Sequence, residues 1–472
     1  MLPLSLTDQL FLLLEKRQQP MHVGALLLFN YPEDYTSNYS TELFESLRAY
    51  KQPTDPYNLK LKFQRGRYFW AEDHEFDMEH HVRHSSLPKP GRIRELLTYV
   101  SAEHSNLMHR ERPLWECHFI EGIEGNRFAL YLKVHHAVTD GMSGIRSLTR
   151  FLTDNGALRG APPVWAMEDQ PRVKSFRKHQ TRWQRYQAMA TDAKQKLVSI
   201  PETLRHIKNE LSASQSGDNS LFALKAPQTI LNSRITGSRR YAAQSYDLAR
   251  FKQIASAFDA TLNDVVLAVC GSALRKYLIS LNALPNEPLI AMVPVSMRRD
   301  SSEGGNQIAM LQASLGTDVS DPEIRMQAIK VSINAAKKRI QQMSKEEYML
   351  YMSIALAPGA VHLATGLRPD WLPCNVLISN VPGPQQPMYW NGAELQGLYP
   401  ISVPLDRVAL NITLMSYNGQ IDFGLTACRR SMPSMQRLLN YIEEGVNELE
   451  RVIDPKIPKK THVRVSSEAI VE

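Results

Sequence analysis

The sequence has few of the features that define several protein classes. Its 472 residues include only four cysteines, Cys117, Cys270, Cys374 and Cys428, which are too widely spaced for a disulfide framework or a CxxC metal site. A composition of 43% hydrophobic and 22% charged residues, with 23 Gly and 28 Pro, excludes collagen-like, coiled-coil and disordered chains. The length predicts two packed domains or one unusually large domain.

The sequence predicts neither a targeting segment nor a membrane-spanning one. The N-terminus has no basic region before its apolar residues, and Asp8 and Glu15 interrupt the apolar stretch, so we expect no signal peptide. Residues 348–367 form a run of 20 without a formal charge, but Pro358 and Gly359 lie within it. A buried or membrane-facing helix pair is therefore expected there instead of a transmembrane helix. We expect a cytoplasmic protein.

The positive charge of the chain is concentrated in one segment. Residues 171–210 contain ten Lys or Arg and three Asp or Glu, a local net charge of +7 that equals the excess of the whole chain. Phe176, Trp183 and Tyr186 lie among these cations, which is typical of a helix at an anionic lipid surface. The alternative is a solvated helix between domains. Because no nucleic-acid-binding motif accompanies the charge, we do not expect nucleic acid as a partner.

Two adjacent histidines follow an alternating apolar run. From Phe128 to His136 every second side chain shares a face, which predicts a strand that ends at this pair. Adjacent strand residues point to opposite faces, so one histidine is available to a site and the other supports structure or substrate. This geometry argues against one metal ion bound by both, and we expect no metal.

His136 has the chemistry required of a general base. A neutral imidazole takes a proton from a hydroxyl that attacks an acyl carbon, and then returns it to the leaving group. Asp140 follows four residues later, across a tight loop closed by Gly141. We expect Asp140 to orient the loop or the imidazole, directly or through an arginine.

The spacing HHxxxDG at residues 135–141 resembles the active-site motif of the coenzyme A-dependent acyltransferase superfamily. Four further stretches are similar to those of the bacterial bifunctional wax ester synthase/diacylglycerol acyltransferase family. They are residues 20–24 (PMHVG), 112–116 (RPLWE), 263–266 (NDVV) and 380–384 (NVPGP). The resemblance extends over nearly the whole chain.

The resemblance implies an α/β (α+β) fold with two chloramphenicol-acetyltransferase-like domains, each a mixed sheet with helices, and an active-site tunnel at their interface. Together with the turn-rich residues 153–171 and the Ser-rich residues 212–220, it divides the chain into three parts. These are an N-terminal acyltransferase domain with the HHxxxDG motif at 1–165, a basic helical linker at 166–222 and a C-terminal acyltransferase domain at 223–472.

The resemblance also implies an activity. A fatty acyl group passes from acyl-CoA to a fatty alcohol or to diacylglycerol, giving a wax ester or triacylglycerol, with His136 as general base, His135 shaping the site and Asp140 mainly structural. Acyl-CoA is a substrate, and no cofactor is expected. Lipid substrates favour peripheral association with the inner face of the cell membrane or with lipid droplets. The alternatives are the same fold with another alcohol or amine acceptor and a noncatalytic lipid-binding protein.

Further residues are candidates for substrate contacts. In the resembling family the pair Asn263 and Asp264 lies near the active site, so we expect Asn263 to donate a hydrogen bond to the oxyanion or to place the acceptor. The alternative is that Asn263 or Asp264 caps the following helix. Gly359 and Ala360 are small enough to leave room for an acyl-chain channel, and ordinary helix packing is the alternative.

Three arginines are candidates for the phosphates of CoA, namely Arg239, Arg240 and Arg298, because fixed cations suit anions. Each is equally consistent with a solvated surface side chain. Trp115 is expected to be a buried anchor that supports the site.

Overall fold

The computed structural model describes residues 2–33, 35, 38–64, 66–138, 150–167, 225–296, 308–343, 348 and 372–454. The chain forms two compact units, each built from separated segments. The first unit comprises Met1–Asp169, Ile230–Asp259 and Ser379–Glu472, and the second comprises Gln170–Thr229 and Ala260–Ile378. The boundaries after residues 165 and 222 were drawn from composition and resemblance, and they remain a prediction.

The described helices follow one another in chain order. They are α1 (Leu6–Leu14), α2 (Tyr39–Ala49), α3 (Met78–His81), α4 (Ile93–Ser105), α5 (Leu248–Ala257), α6 (Leu262–Ser280), α7 (Pro322–Gln341) and α8 (Arg437–Ile453).

The described strands alternate with these helices along most of the chain. They are β1 (Leu2–Pro3), β2 (His22–Asn30), β3 (Leu59–Gln64), β4 (Arg67–Glu72), β5 (Val82–Ser86), β6 (Trp115–Ile123), β7 (Arg127–His135), β8 (Arg239–Asp247), β9 (Ile290–Ser296), β10 (Ile308–Ser314), β11 (Val376–Pro382), β12 (Tyr389–Trp390), β13 (Ala393–Ile401), β14 (Leu410–Tyr417) and β15 (Gln420–Cys428).

The first unit contains a six-stranded sheet in the order β12-β13-β2-β7-β6-β5. Only β5 and β6 pair in parallel, so the sheet is mixed. Along β7, Phe128 and Leu130 belong to one hydrophobic cluster, whereas Ala129 and Tyr131 belong to another. The predicted alternation is thus confirmed, and both faces of β7 are covered.

Trp115 lies in the core of the first unit, as predicted. It is buried, and its indole Nε1 donates a hydrogen bond to the Tyr57 carbonyl at 2.8 Å. Its ring stacks on those of His81 and Trp165. Because both its apolar surface and its polar atom are satisfied by the protein, Trp115 fixes the start of β6.

The rest of the first unit comprises two smaller groups of strands. In the first group, β15 pairs antiparallel with β14 on one side and with β8 on the other. Nearby, the side chain of Arg250 on α5 donates hydrogen bonds to Glu443 and Glu450 on α8. In the second group, β1, β4 and β3 form a three-stranded antiparallel sheet.

The second unit is built around α6, which is buried along most of its length. In this unit β9 pairs antiparallel with β10 and parallel with β11, so its sheet is also mixed. The buried Asn375 side chain accepts a hydrogen bond from the Ile290 N–H at 2.8 Å and donates one to the Pro227 carbonyl at 2.7 Å. Helices with mixed sheets agree with the predicted fold class.

Local signals located several elements correctly. The sequence predicts a capped helix at the N-terminus, a strand over Val23–Phe29 and a last helix over Ser434–Val452. The corresponding elements are α1, β2 and α8. The N-cap of α1 is Ser5 rather than Thr7 or Asp8. In a capping box, the Ser5 hydroxyl accepts from the Asp8 backbone N–H and the Asp8 carboxylate accepts from the Ser5 backbone N–H.

No single described helix is long and apolar enough to span a membrane. Helices α5 and α6 reach that length and apolar composition only when they are taken together, as a bent pair. The basic residues 171–210 and the uncharged run 348–367, apart from Tyr348, lie outside the described residues.

A buried carboxyl group makes the stability of the first unit sensitive to pH. Asp422 on β15 accepts hydrogen bonds from the Ser245 hydroxyl at 2.6 Å and from the Leu398 N–H at 2.7 Å. Burial raises its pKa from 3.8 to about 7, although these hydrogen bonds lower it in part. The folded protein therefore binds the proton more tightly than the unfolded chain does. The resulting stabilisation is fully present below the unfolded pKa and is lost as pH rises towards 7.

We expect the free energy of unfolding to fall between about pH 4 and pH 7, and this fall to be reduced in Asp422→Asn, whose amide does not ionise. Urea unfolding at several pH values measures the slope of the free energy of unfolding against pH in the parent protein and in Asp422→Asn. An equal slope in the two proteins would show that Asp422 does not carry the effect.

Candidate active site

The two histidines lie where β7 ends and a turn begins. His135 is the last residue of β7 and pairs with His22 on β2. The backbone N–H of His135 donates to the Leu114 carbonyl at 2.9 Å, and the backbone N–H of His136 donates to the Met21 carbonyl at 2.8 Å. Two neighbouring segments therefore fix the backbone of the pair, and the strand ends one residue earlier than predicted.

The two side chains differ in exposure. His135 is fully buried, whereas His136 is partly exposed. The His136 ring stacks on Phe11 of α1, with ring centroids 4.1 Å apart and an interplanar angle of 19°. The two adjacent side chains therefore have different environments, and the role of His136 towards a reactant remains a prediction.

Each ring nitrogen of His135 has a protein atom close to it, and Nδ1 is hydrogen-bonded. Its Nδ1 accepts a hydrogen bond from the Ala137 N–H at 3.0 Å, so the proton of a neutral ring lies on Nε2. Nε2 lies 3.3 Å from Oε1 of Glu15. The His135 carbonyl also accepts from the Val138 N–H at 2.9 Å. His135 thus joins the turn that carries His136 to a buried carboxylate.

Glu15 is the C-cap residue of α1, and its side chain is almost fully buried. Its Oε2 accepts hydrogen bonds from Nε and Nη2 of Arg110 at 3.1 and 3.0 Å. Burial raises the pKa of Glu15, but His135 and Arg110 together lower it by more than burial raises it. The pKa of Glu15 therefore lies below its usual value. Glu15 is therefore ionised at neutral pH.

Sequence reasoning did not identify Glu15 as part of the site. Its signal in the sequence is an acidic residue directly after an apolar helix, which by itself indicates only an interruption of the apolar stretch. Its contacts lie 95 residues away at Arg110 and farther still at His135, so local pattern does not reveal them.

Two further histidines beside the pair are structural. Nε2 of His22 lies 2.8 Å from the His104 carbonyl, and Nδ1 of His104 lies 2.8 Å from the Tyr131 hydroxyl. Burial lowers the pKa of His22 well below its usual value and that of His104 to about 3. Both rings are therefore neutral at working pH and too weakly basic for general-base catalysis.

A buried ionic group lies beside the same strand. Glu103, Glu116 and His118 offer ligand atoms that lie within 4.8 Å of one another, as a metal site would. However, the Lys133 ammonium lies 3.5 Å from Oε2 of Glu116 and donates to the carbonyls of Glu103 and Asn106. Burial raises the pKa of Glu116, but His118 and Lys133 help to lower it to about 2. Lys133 already neutralises this carboxylate, so the group supports β7.

In the second unit, the cap of α6 is made by Thr261 and Asp264, not by Asn263. The Thr261 hydroxyl accepts from the Asp264 N–H, and the Asp264 carboxylate accepts from the Thr261 N–H at 2.9 Å. Asp264 is buried in this capping box, which does not support the predicted substrate contact. The Asn263 side chain is partly exposed and makes no hydrogen bond within the described part of the chain, so its contact with substrate remains a prediction.

The two described arginine candidates have different environments. The buried Arg239 guanidinium donates to the carbonyls of Gln18 and Thr236. This placement argues against the predicted phosphate contact, because the guanidinium is buried and both of its Nη atoms donate inside the protein. Arg240 is partly exposed, and burial together with the nearby charges of Arg429 and Arg94 lowers its pKa. Arg240 therefore remains a candidate for an anion.

The remaining predicted site residues lie outside the described part of the structure. They are Asp140, Gly141, Gly359, Ala360 and Arg298.

Comparison with known proteins identifies the family. Residues 4–266 match the family model described as the wax ester synthase/diacylglycerol acyltransferase catalytic domain, and residues 304–450 match the model of its C-terminal domain. The O-acyltransferase WSD of Acinetobacter baylyi is 44% identical over 98% of this chain and 100% of its own length. A Mycobacterium tuberculosis protein named as a diacylglycerol O-acyltransferase is 39% identical over 94% of this chain and 99% of its own.

Solved structures agree with these relatives. The wax ester synthase/diacylglycerol acyltransferase of Marinobacter aquaeolei VT8 is similar with a TM-score of 0.79 and 47% identity, covering 96% of this chain and 100% of that chain. The first condensation domain of the calcium-dependent antibiotic synthetase is similar in fold alone, with a TM-score of 0.57 and 15% identity over 96% of each chain. The chain therefore belongs to the wax ester synthase/diacylglycerol acyltransferase family, whose two-domain fold and O-acyltransferase activity the sequence predicted.

Proposed function

We propose that this protein transfers a fatty acyl group from acyl-CoA to the hydroxyl of a long-chain alcohol or of diacylglycerol, releasing CoA. The products are a wax ester and triacylglycerol, respectively. Family membership and the names of the relatives support this reaction. The observation that carries the residue assignment is the partly exposed His136 ring, held on a turn beside its buried neighbour His135.

His136 acts as the general base in this proposal. Its imidazole takes the proton of the acceptor hydroxyl as the oxygen attacks the thioester carbon. The tetrahedral intermediate then collapses, the carbon–sulfur bond breaks, and the imidazolium returns the proton to the CoA thiolate. Direct transfer of this kind needs no covalent acyl-enzyme.

Other residues support this base without exchanging protons. Phe11 restricts the His136 ring by stacking, and Glu15 acts through His135 on the turn below it. We assign Asn263 to the oxyanion of the tetrahedral intermediate or to the acceptor, because its amide is not used in the cap of α6. Asp140 and Gly141 retain the structural role in the loop that the family motif implies.

The substrates also suggest where the protein acts. Long-chain alcohols and diacylglycerol are poorly soluble in water and collect in bilayers and droplets. We therefore propose peripheral association with the inner face of the cell membrane or with lipid droplets. The basic, aromatic-containing residues 171–210 support this association by composition.

Replacing His136 with Ala should reduce turnover at least about a hundredfold in a folded protein, since the general base is lost. The measurement is release of the CoA thiol from palmitoyl-CoA with hexadecanol, with diacylglycerol or without acceptor, with products separated by lipid class. Melting temperature reports whether the variant is folded. Near-normal turnover in a folded variant would reject His136 as the general base. Release of the CoA thiol at the same rate with and without acceptor would reject acyl transfer.

Replacing Asn263 with Ala should lower turnover about a hundredfold while the free energy of unfolding stays within about 0.5 kcal/mol of that of the parent protein. Thr261→Ala is the matched control, because it removes the observed N-cap and should cost about 1 kcal/mol of stability with turnover largely retained. Urea unfolding and the thiol-release assay separate the two effects. A stability loss in Asn263→Ala as large as in the control would favour a structural role.

A further inference from the structure

One short helix of the first unit is apolar on nearly every side yet is not buried on every side. Helix α1 has the sequence LTDQLFLLL, in which the polar residues are confined to the first turn. Leu12 packs in a hydrophobic cluster, and Phe11 stacks on His136. Leu10 and Leu13, one turn apart, are 50% and 76% exposed. A helix that is apolar all round and partly exposed is expected to contact another apolar phase or partner.

The small sheet beside α1 extends this exposed apolar surface. Leu61 of β3 is buried in the same cluster as Leu12, and Phe63, two residues later on the same face of β3, is 63% exposed. Trp70 of β4 packs against that cluster. Leu2 of β1 lies opposite Trp70, and Leu2 is 45% exposed. We call Leu2, Leu10, Leu13 and Phe63 the apolar patch.

Exposed apolar side chains are common when they are scattered, and the described part of the chain has several others. The members of the apolar patch differ because each lies on α1 or β3, which contribute Leu12 and Leu61 to one hydrophobic cluster, or on β1, which pairs with β4. That cluster also contains Ala137 and Val138, which directly follow His136 in the turn. Helix α1, which carries Leu10 and Leu13, therefore lies next to the candidate general base.

Cations accompany the patch. The ten residues from Leu59 to Tyr68 contain four Lys or Arg and no Asp or Glu. Lys60 is paired with Asp73, whereas Lys62 and Arg67 are exposed and make no ion pair with any described residue. Exposed aromatic and aliphatic side chains next to unpaired cations are typical of a surface that inserts into an anionic lipid interface.

We propose that the apolar patch, with Lys62 and Arg67, docks this protein on an anionic phospholipid surface. Leu13 and Phe63 enter the apolar region, and the cations meet the lipid headgroups. A second copy of the chain fits less well, because it would bring the same cations into contact. The inference rests on the proposed function, since an acceptor that leaves this lipid surface beside α1 arrives near His136.

The test is co-sedimentation of the full-length protein with vesicles of phosphatidylcholine alone or of an equal mixture with phosphatidylglycerol. Leu13→Ser/Phe63→Ser and Lys62→Glu/Arg67→Glu should each weaken binding to the mixed vesicles at least about tenfold. The matched controls are Ile324→Ser/Val331→Ser, at positions 61% and 60% exposed on α7, and Lys252→Glu/Lys338→Glu. The controls should stay within about twofold of the parent protein.

Binding by both test pairs at the parental level, or equal losses in the controls, would overturn the docking surface. Two other occupants are tested in the same proteins. Conversion of a dimer to a monomer by the Leu13/Phe63 pair would assign the patch to a second copy. A raised KM for acyl-CoA in the Lys62/Arg67 pair, measured without vesicles, would assign the cations to CoA.

Failure of the proposed function is distinguishable from failure of the docking surface. A vesicle-free assay with a short-chain acyl-CoA and a short, water-soluble alcohol reports acyl transfer alone. The test pairs should retain parental turnover in this assay and lose it with diacylglycerol presented in vesicles. Absence of turnover in the parent protein would count against the proposed function, whereas the vesicle-binding comparison would still decide the docking surface.

Discussion

The buried contact between the Glu15 carboxylate and the His135 imidazole is the interaction on which the candidate site depends. The two groups lie 3.3 Å apart, and the guanidinium of Arg110 compensates the negative charge of Glu15. Removing a carboxylate from water is costly, and a buried charge is tolerated only when its partners are present. The contact therefore holds α1, the end of β7 and the following turn in one arrangement, and His136 lies on that turn.

This arrangement explains why separated sequence stretches accompany the histidine motif. The stretch at residues 20–24 supplies the Met21 carbonyl that accepts from the His136 N–H, and the stretch at 112–116 supplies the Leu114 carbonyl that accepts from His135. Neither contact requires a reactive side chain. The same geometry places Phe11 against the His136 ring, so α1 contributes both to the site and to the apolar patch on the surface.

Local physical rules predicted the parts of this structure that short-range pattern determines. The alternation along β7 and the helices α1 and α8 follow from periodicity, and the family motif identified the histidine pair. Contacts between distant segments were not predictable in this way. Glu15 acquires its role only through Arg110 and His135. The sequence offers Arg239 as a phosphate candidate or a solvated side chain, because its burial against the carbonyls of Gln18 and Thr236 is a tertiary property. Thr261 rather than Asn263 caps α6 because the reciprocal bond with Asp264 decides the start of that helix.

The central claim is that Glu15 acts on catalysis through the turn that carries His136. The most direct measurement is a double-mutant cycle on kcat with the parent protein, Glu15→Gln, His136→Ala and the double variant, each verified as folded by its melting temperature. Glu15→Gln should lower kcat at least about tenfold when His136 is present, because the base is displaced, and should cause no further loss in the His136→Ala background. The same fold-loss in both backgrounds would contradict the account, because Glu15 would then act independently of His136.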